Sequence, residues 1–295
     1  MIQNRLSSVV LAIAFLGQSL VTGLKAQDNT VTGSASDTSA IPAKSSIHSF
    51  YGGTGYGNNL LYLGTTMSQD NGFGYASVSY GLADKLYLSA TGYTVGNFSP
   101  FMAFYSLGAS FSHTLNSWFD ISTSLSRYNV ASSLRDTLFS NFTYADATLG
   151  FDWRILYSKI SAGGLFAGGG QFYLQTRHSR YFETPSFARE KAFFSFDPYI
   201  NLLWGTMVTA ETAGGVTETT VSPGYRPWRN SQNSTTRYTE SFGLTEIDFG
   251  VPVAFSYDFF TFEVEPGYVF PLYSTEGTSG TKGFLLLATL FFRIF

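Results

Sequence analysis

Acidic side chains at alternate positions are the residues of this sequence with the clearest potential chemistry. In segments where apolar and polar residues alternate, these acidic residues and one lysine occupy the polar positions: Asp120, Asp146, Asp152, Asp197, Glu246, Asp248, Glu263, Glu265 and Lys159. If the apolar positions of each segment face outward, the polar side chains line an interior, where carboxylates attract cations and repel anions. The pattern therefore predicts weak cation selectivity. The alternative is a filled, non-conducting interior, in which hydroxyl groups or arginines folded inward pair with the carboxylates.

Three histidines are the candidates for acid–base catalysis, and none has a suitable set of companions. His48 lies at the start of the patterned region, His113 at a predicted turn, and His178 between arginines in a predicted loop. A hydrolase needs a histidine positioned with serine and asparagine, or with carboxylates, and no serine motif of the phospholipase kind accompanies these three. The sequence has no cysteine, which excludes thiolate nucleophiles and thiolate metal sites. We predict no enzymatic activity and no catalytic, metal or cofactor site.

The composition of the chain argues against two classes of protein. Of 295 residues, 18% are aromatic and only 13% are charged, and the formal net charge is −3. So few charges argue against intrinsic disorder, and the lack of a basic stripe argues against binding of nucleic acid. Because the composition is uniform from Ser49 onward, we predict a single folded domain.

A periodicity of two residues runs through this domain and predicts β-strands. Tyr105, Leu107, Ala109 and Phe111, for example, alternate with small polar residues. The alternating segments are about ten residues long, which is the length of a tilted membrane-spanning strand, and aromatic residues stand at their ends. Short and long connections alternate along the chain, as they do in transmembrane barrels. We predict an all-β fold, a single antiparallel transmembrane β-barrel.

The pattern predicts about twelve strands, joined by tight turns at one end and long loops at the other. Tight turns are expected at Leu82–Lys85, Thr114–Ser117, Arg154–Leu156 and Asp258–Phe259, and long loops at 129–139, 168–192, 217–240 and 271–282. The predicted strands occupy 59–68, 73–81, 86–96, 102–113, 118–128, 140–152, 157–167, 193–203, 205–216, 241–256, 260–270 and 283–295. A turn near Trp204 lacks the usual Asn-Gly or Asp-Gly residues, and without this hairpin the count is ten.

The last predicted strand ends on Phe295 and has an apolar parity formed by Phe284, Leu286, Ala288, Leu290, Phe292 and Ile294. It resembles the C-terminal assembly strand of bacterial outer-membrane β-barrels, with Arg293 where the commonest version has an aromatic residue. Residues 251–260 and 265–272 are similar to the C-terminal part of barrels of uncharacterised function from Bacteroidota-like bacteria, and residues 80–86 resemble a periplasmic turn of such proteins. The resemblance implies an integral protein of the bacterial outer membrane and assigns no substrate.

The N-terminal residues predict export. Residues 1–26 contain Arg5, an apolar stretch from Val9 to Leu16 and the small residue Ala26, which is typical of a cleaved signal peptide. The alternative is an N-terminal membrane anchor. Residues 27–46 are small and polar, and we interpret them as a flexible periplasmic segment. The barrel is then expected to occupy 47–295.

Basic and aromatic residues gather in two of the predicted loops, where we expect external contacts: Arg177, Arg180, Tyr225, Arg226, Trp228 and Arg229. Beside the bilayer, these arginines would bind phosphate groups of lipopolysaccharide or a partner protein, because guanidinium binds phosphate bidentately; alternatively they are solvated loop charges. Two functions remain open. The first is a passive pore or small-solute transporter with an acidic lumen, and the second is a non-conducting structural or accessory subunit of a larger outer-membrane complex.

Overall fold

The computed structural model describes residues 47–135, 137–166, 170–189, 191–211, 217–220, 237–272 and 282–294. Twelve strands of this part of the chain form one wall: β1 (His48–Gly57), β2 (Phe73–Leu82), β3 (Leu86–Val95), β4 (Phe104–Asn116), β5 (Phe119–Val130), β6 (Phe142–Asp152), β7 (Tyr157–Phe166), β8 (Gly170–Ser179), β9 (Tyr199–Glu211), β10 (Arg237–Gly250), β11 (Phe260–Pro271) and β12 (Gly283–Arg293). Each strand pairs antiparallel with the next, and β12 pairs with β1. The sheet is therefore closed, and the prediction of a twelve-stranded antiparallel barrel is confirmed.

The apolar parity of the strands faces outward. Tyr105, Leu107 and Phe111 of β4 are 42%, 51% and 41% exposed, whereas Ser106, between the first two, is fully buried. Water outside the barrel would favour the opposite arrangement, so the apolar band fits a hydrocarbon surround, in which only closed sheets and helices satisfy their backbone hydrogen bonds. Among the described residues, no helix has the length and apolar character needed to cross a membrane.

Three of the predicted strand positions are wrong, although the number of strands is unchanged. The first strand is His48–Gly57, and the whole of the predicted strand 59–68 lies in the loop that follows it. The predicted loop 168–192 contains β8. The side chains of β8 that face the interior are large and polar, so its sequence resembles that of a loop. The reversal near Trp204 does not exist, because β9 continues through this position and β10 accommodates the irregularity with a bulge opposite Leu203 and Trp204.

Prolines interrupt the wall at two neighbouring points near one end. The strand Ala192–Phe196 precedes β9 across Asp197 and Pro198, and the strand Val253–Tyr257 follows β10 across Val251 and Pro252. Proline lacks the N–H that continues a ladder. The amide N–H of Asp197 instead donates to the carbonyl of Pro252, 3.1 Å away, so the two interruptions support one another. The two short strands pair with each other and extend the wall.

The two ends of the barrel differ in their connections. At the turn end, the tight turns predicted at Leu82–Lys85, Arg154–Leu156 and Asp258–Phe259 are found between the strands, at 83–85, 153–156 and 258–259, whereas the turn predicted at Thr114–Ser117 lies at 117–118 because β4 continues to Asn116. At the opposite loop end, the connections at 58–72, 96–103 and 131–141 are longer. The predicted signal peptide and N-terminal segment lie outside the described residues, as do most of the predicted loops at 217–240 and 271–282.

The first of these connections, residues 58–72, folds back into the barrel, and we call it the inward loop. It forms a small hairpin in which Leu61–Tyr62 pairs with Thr65–Thr66. The amide of Met67 donates to the carbonyl of Leu60 at 2.7 Å, and the side-chain amide of Asn59 donates to Asp70 at 2.6 Å. These bonds satisfy the loop's own polar groups, so its apolar side chains are free to enter the barrel.

An aromatic core lies in the loop-end half of the barrel. Leu60, Tyr62 and Met67 of the inward loop pack against it. Its rings come from wall strands β2 to β6 and from β8: Phe73, Tyr75, Tyr93, Phe104, Tyr128, Phe142, Tyr144 and Tyr173. Wall glycines make room for such rings. A Cβ on Gly205 would lie 3.0 Å from the ring of Tyr173, and a Cβ on Gly250 would lie 2.8 Å from the ring of Tyr199. The close approach of ring and backbone therefore favours glycine at both positions.

Candidate functional site

Strand register brings the lumenal charges into one row across the wall. Neighbouring strands pair residue by residue, in the order Asp120, Gly150, Lys159, Arg177, Asn201 and Asp248. All six alternate along their strands with exposed apolar side chains, so they face the interior. The row has its basic residues on β7 and β8 and acidic residues on both sides of them. The wall is therefore electrically polarised across the lumen.

Four carboxylates on β10 and β11 form the most acidic part of the interior, and we call Glu246, Asp248, Glu263 and Glu265 the acidic wall. Asn201 donates from Nδ2 to Asp248 Oδ2 at 2.8 Å, and the Tyr199 hydroxyl donates to Glu265 Oε1 at 2.7 Å. One oxygen of Glu263 is buried without a hydrogen-bond partner in the described structure. Carboxylates on neighbouring strands repel one another when they are ionised, unless donors or water surround them.

A buried arginine faces this acidic wall. The guanidinium of Arg177 lies 3.8 Å from Asp197 Oδ2 and 3.6 Å from the ring centre of Tyr199. Its Nε and Nη1 have no hydrogen-bond partner among the described residues. Lys159 is buried on the neighbouring strand. Arg177 and Lys159 are the cations that the described interior places beside the carboxylates.

The remaining predicted lumenal carboxylates are held by hydroxyl groups or by a turn. The Tyr157 hydroxyl donates to Asp120 at 2.8 Å, and Asp146 accepts hydrogen bonds from Ser124 and Thr148. Asp152 lies at the turn end, where its Oδ1 accepts from the backbone N–H of Arg154 at 2.7 Å. Asp120 and Asp146 therefore have the hydroxyl partners expected from the alternative interpretation of the sequence, whereas the acidic wall has fewer such partners.

A cavity of about 120 Å³ lies between the inward loop and the acidic wall. Its polar side is formed by Asn201, Glu246, Asp248 and Glu265. Apolar residues from the inward loop, β9, β11 and β12 also line it: Leu60, Leu203, Val269, Leu285 and Leu287. The cavity lining therefore combines carboxylates with apolar side chains.

Two of the residues predicted to make external contacts lie elsewhere. Arg177 is a buried lumenal residue of β8, and Arg180 lies at the turn end, where its Nη1 donates to the carbonyl of Arg154 at 2.7 Å. Both placements were wrong because β8 was interpreted as a loop. Tyr225, Arg226, Trp228 and Arg229 lie outside the described residues.

Sequence reasoning missed Arg177, Asn201 and Tyr62 as lumenal residues. The alternation of Tyr173, Gln175 and Arg177 with Phe172 and Leu174 was available as a signal for β8. The position of Tyr62 had no such signal, because it depends on rings brought together by the closure of the barrel.

The histidines do not form a catalytic constellation with the residues described. His48 Nδ1 lies 2.5 Å from the Tyr80 hydroxyl. On the outer face of the wall, His178 Nδ1 lies 2.9 Å from the Ser158 hydroxyl, and this serine is buried beneath its neighbours. A buried hydroxyl is poorly placed to attack a substrate. In the described part of the chain, no three His, Asp or Glu side chains are arranged to hold a metal ion.

Comparisons with known proteins find similarity in structure alone. No protein-family model matches the sequence, and no curated protein matches it. The KdgM porin in complex with disordered oligogalacturonate is 11% identical with a TM-score of 0.45, covering 83% of this chain and 98% of that one. An outer-membrane channel from Pseudomonas putida F1 is 13% identical with a TM-score of 0.45, covering 89% and 100%. LpxR from Salmonella typhimurium is 10% identical with a TM-score of 0.44, covering 82% and 99%. The likeness is one of fold, and it assigns no activity to this chain.

Proposed function

We propose that the protein is a passive pore of the bacterial outer membrane that passes small solutes and prefers cations. The observation that carries this proposal is the separation of the barrel interior into an aromatic core and an acidic wall. Burying a charge in a dry interior costs several kcal/mol unless it is fully paired. Among the described residues, one oxygen of Glu263 in the acidic wall is buried without a hydrogen-bond partner. Water along this wall would satisfy it, and a water-lined wall is a path for ions.

The arrangement of the inward loop supports a path on this side. The loop packs against rings from β2 to β6 and from β8, and the cavity separates it from Glu246, Asp248 and Glu265. A solute would therefore pass between the loop and the acidic wall. Carboxylates along such a path concentrate cations and repel anions.

The test is the reversal potential of the purified protein in a planar lipid bilayer under a salt gradient. Discrete conductance steps with a reversal potential that favours potassium support the proposal. A reversal potential that favours chloride contradicts it. The same preparation without protein is the control, since detergent alone also perturbs bilayers.

A second function is favoured by the aromatic core. Because the inward loop and the aromatic core occupy the loop-end half of the barrel, the alternative function is that of a non-conducting barrel that serves as a structural or accessory subunit of an outer-membrane complex. Recovery of a stoichiometric partner from native membranes, together with no conductance in bilayers, would favour this role. Neither proposed function includes a catalytic step.

A further inference from the structure

We propose that the cavity beside the acidic wall binds the ammonium group of a small primary aliphatic amine. The binding site stands on the geometry of the cavity. The consequence, that such amines are preferred solutes of the barrel, rests on the pore proposed above. The two statements are therefore tested by different measurements.

The polar side of the cavity presents hydrogen-bond acceptors and negative charge. Glu246, Asp248 and Glu265 contribute carboxylates. Asn201, which is 3% exposed, uses its Nδ2 donor on Asp248, and its Oδ1 has no partner in the described structure. An orphaned buried acceptor is costly, so this amide oxygen calls for a donor from a ligand or water. A cation with several N–H groups would satisfy the amide oxygen and the carboxylates together.

The apolar part of the cavity lining selects an organic cation. Leu203, Leu285 and Leu287 line the cavity beside the carboxylates, since Leu203 pairs with Glu246 and Leu287 with Glu265 on neighbouring strands, and burying CH₂ groups against them is favourable. An ammonium group on a short alkyl chain matches both parts of the lining, with its head on the carboxylates and its chain on the leucines. The volume of about 120 Å³ is somewhat smaller than cavities that hold a benzene ring, roughly 150 Å³, and so favours a short chain.

The spacing of the carboxylates argues against a metal ion. Calcium takes about six to eight oxygen ligands that converge on one point, and the described residues provide no group of three acidic or histidine side chains with that convergence. The three N–H bonds of an ammonium diverge, so they suit acceptors that are spread along two strands. A quaternary ammonium ion has no N–H and would leave the Asn201 oxygen unpaired.

The experiment is calorimetric titration of the folded full-length protein in detergent with n-butylammonium chloride. We expect saturable binding of butylammonium, which potassium chloride or tetramethylammonium chloride at equal concentration does not reduce. We also expect the affinity to increase along the series from methylammonium to butylammonium. Asp248→Asn and, separately, Glu246→Gln should each weaken binding about tenfold, the effect of losing one charge-assisted hydrogen bond. Asp84→Asn, the same change at an exposed turn, is the control for loss of charge alone.

Each result has one meaning once circular dichroism has shown that a variant is folded. Absence of butylammonium binding, equal competition by tetramethylammonium, or equal weakening by Asp84→Asn would overturn the proposal. Calorimetry does not require conduction. Butylammonium binding by a barrel that conducts no ions would leave the site standing and overturn the pore.

Discussion

Replacing Tyr62 with alanine is expected to loosen the inward loop and increase conduction. The Tyr62 ring lies 5.4 Å from the ring of Tyr128, 5.8 Å from that of Phe142 and 5.7 Å from that of Tyr144, measured between centroids. These three contacts join the tip of the loop to β5 and β6. No other side chain of the loop makes as many ring contacts with the wall among the described residues.

The size of the effect follows from the three contacts. Aromatic pairs contribute about 1 kcal/mol each beyond the burial of area, so the substitution removes about 3 kcal/mol from the docked state of the loop. Every 1.4 kcal/mol changes an equilibrium about tenfold. The ratio of undocked to docked loop should therefore rise roughly a hundredfold, provided that the loop's internal hydrogen bonds persist.

Single-channel recording in planar bilayers measures this change as longer or larger open states. Tyr105→Ala is the matched control, because Tyr105 is a tyrosine on the outer face of β4 whose exposed side chain points away from the inward loop. If Tyr62→Ala and Tyr105→Ala conduct alike, and both match the unchanged protein, the inward loop does not limit the path and the reasoning is wrong.

Two further predictions concern the stability of the barrel. Leu125 lies near the middle of β5 and Leu115 near a turn, and the two leucines are almost equally exposed, at 53% and 54%. Leu125→Lys should cost about 2–4 kcal/mol of folding free energy in lipid vesicles, and Leu115→Lys about 0–1 kcal/mol. The costs differ because the penalty for a charge that faces lipid decreases with distance from the bilayer midplane. Equal costs in urea titrations would contradict the assignment of the outer face. Gly250→Ala should cost about 1–3 kcal/mol by overpacking, since the new Cβ would lie 2.8 Å from the ring of Tyr199. Gly52→Ala, where the nearest atom is 3.8 Å away, should change the unfolding free energy by about 1 kcal/mol or less, and a loss as large as that of Gly250→Ala would show that ring contact is not the cause.

The sequence predicted which side chains of most strands face lipid, because one local rule decides this. In a closed sheet, alternate side chains point to opposite faces, so the apolar parity of Leu107 and Phe111 identifies the lipid side wherever the other parity is small and polar. The same rule failed for β8, where Arg177 and His178 stand next to each other on opposite faces. Charge was interpreted there as exposure, although the interior of a barrel also accepts charge.

The interior arrangement could not be predicted in the same way. Asn201 and Asp248 are 47 residues apart, and their contact depends on the register of β9 and β10, including the bulge opposite Leu203. The inward loop depends in addition on closure of the barrel, which places the rings of several strands around Tyr62. Local patterns carry no information about contacts that arise only after closure.

The ion preference of the acidic wall is tested most directly by removing its charge. A variant with Glu246→Gln, Asp248→Asn and Glu265→Gln keeps the shape of each side chain and removes three negative charges beside the cavity. The reversal potential of this variant in a salt gradient should move from the cation-favouring side to zero or beyond, while its channels still open. A reversal potential equal to that of the unchanged protein would contradict the assignment of the conducting path to the acidic wall.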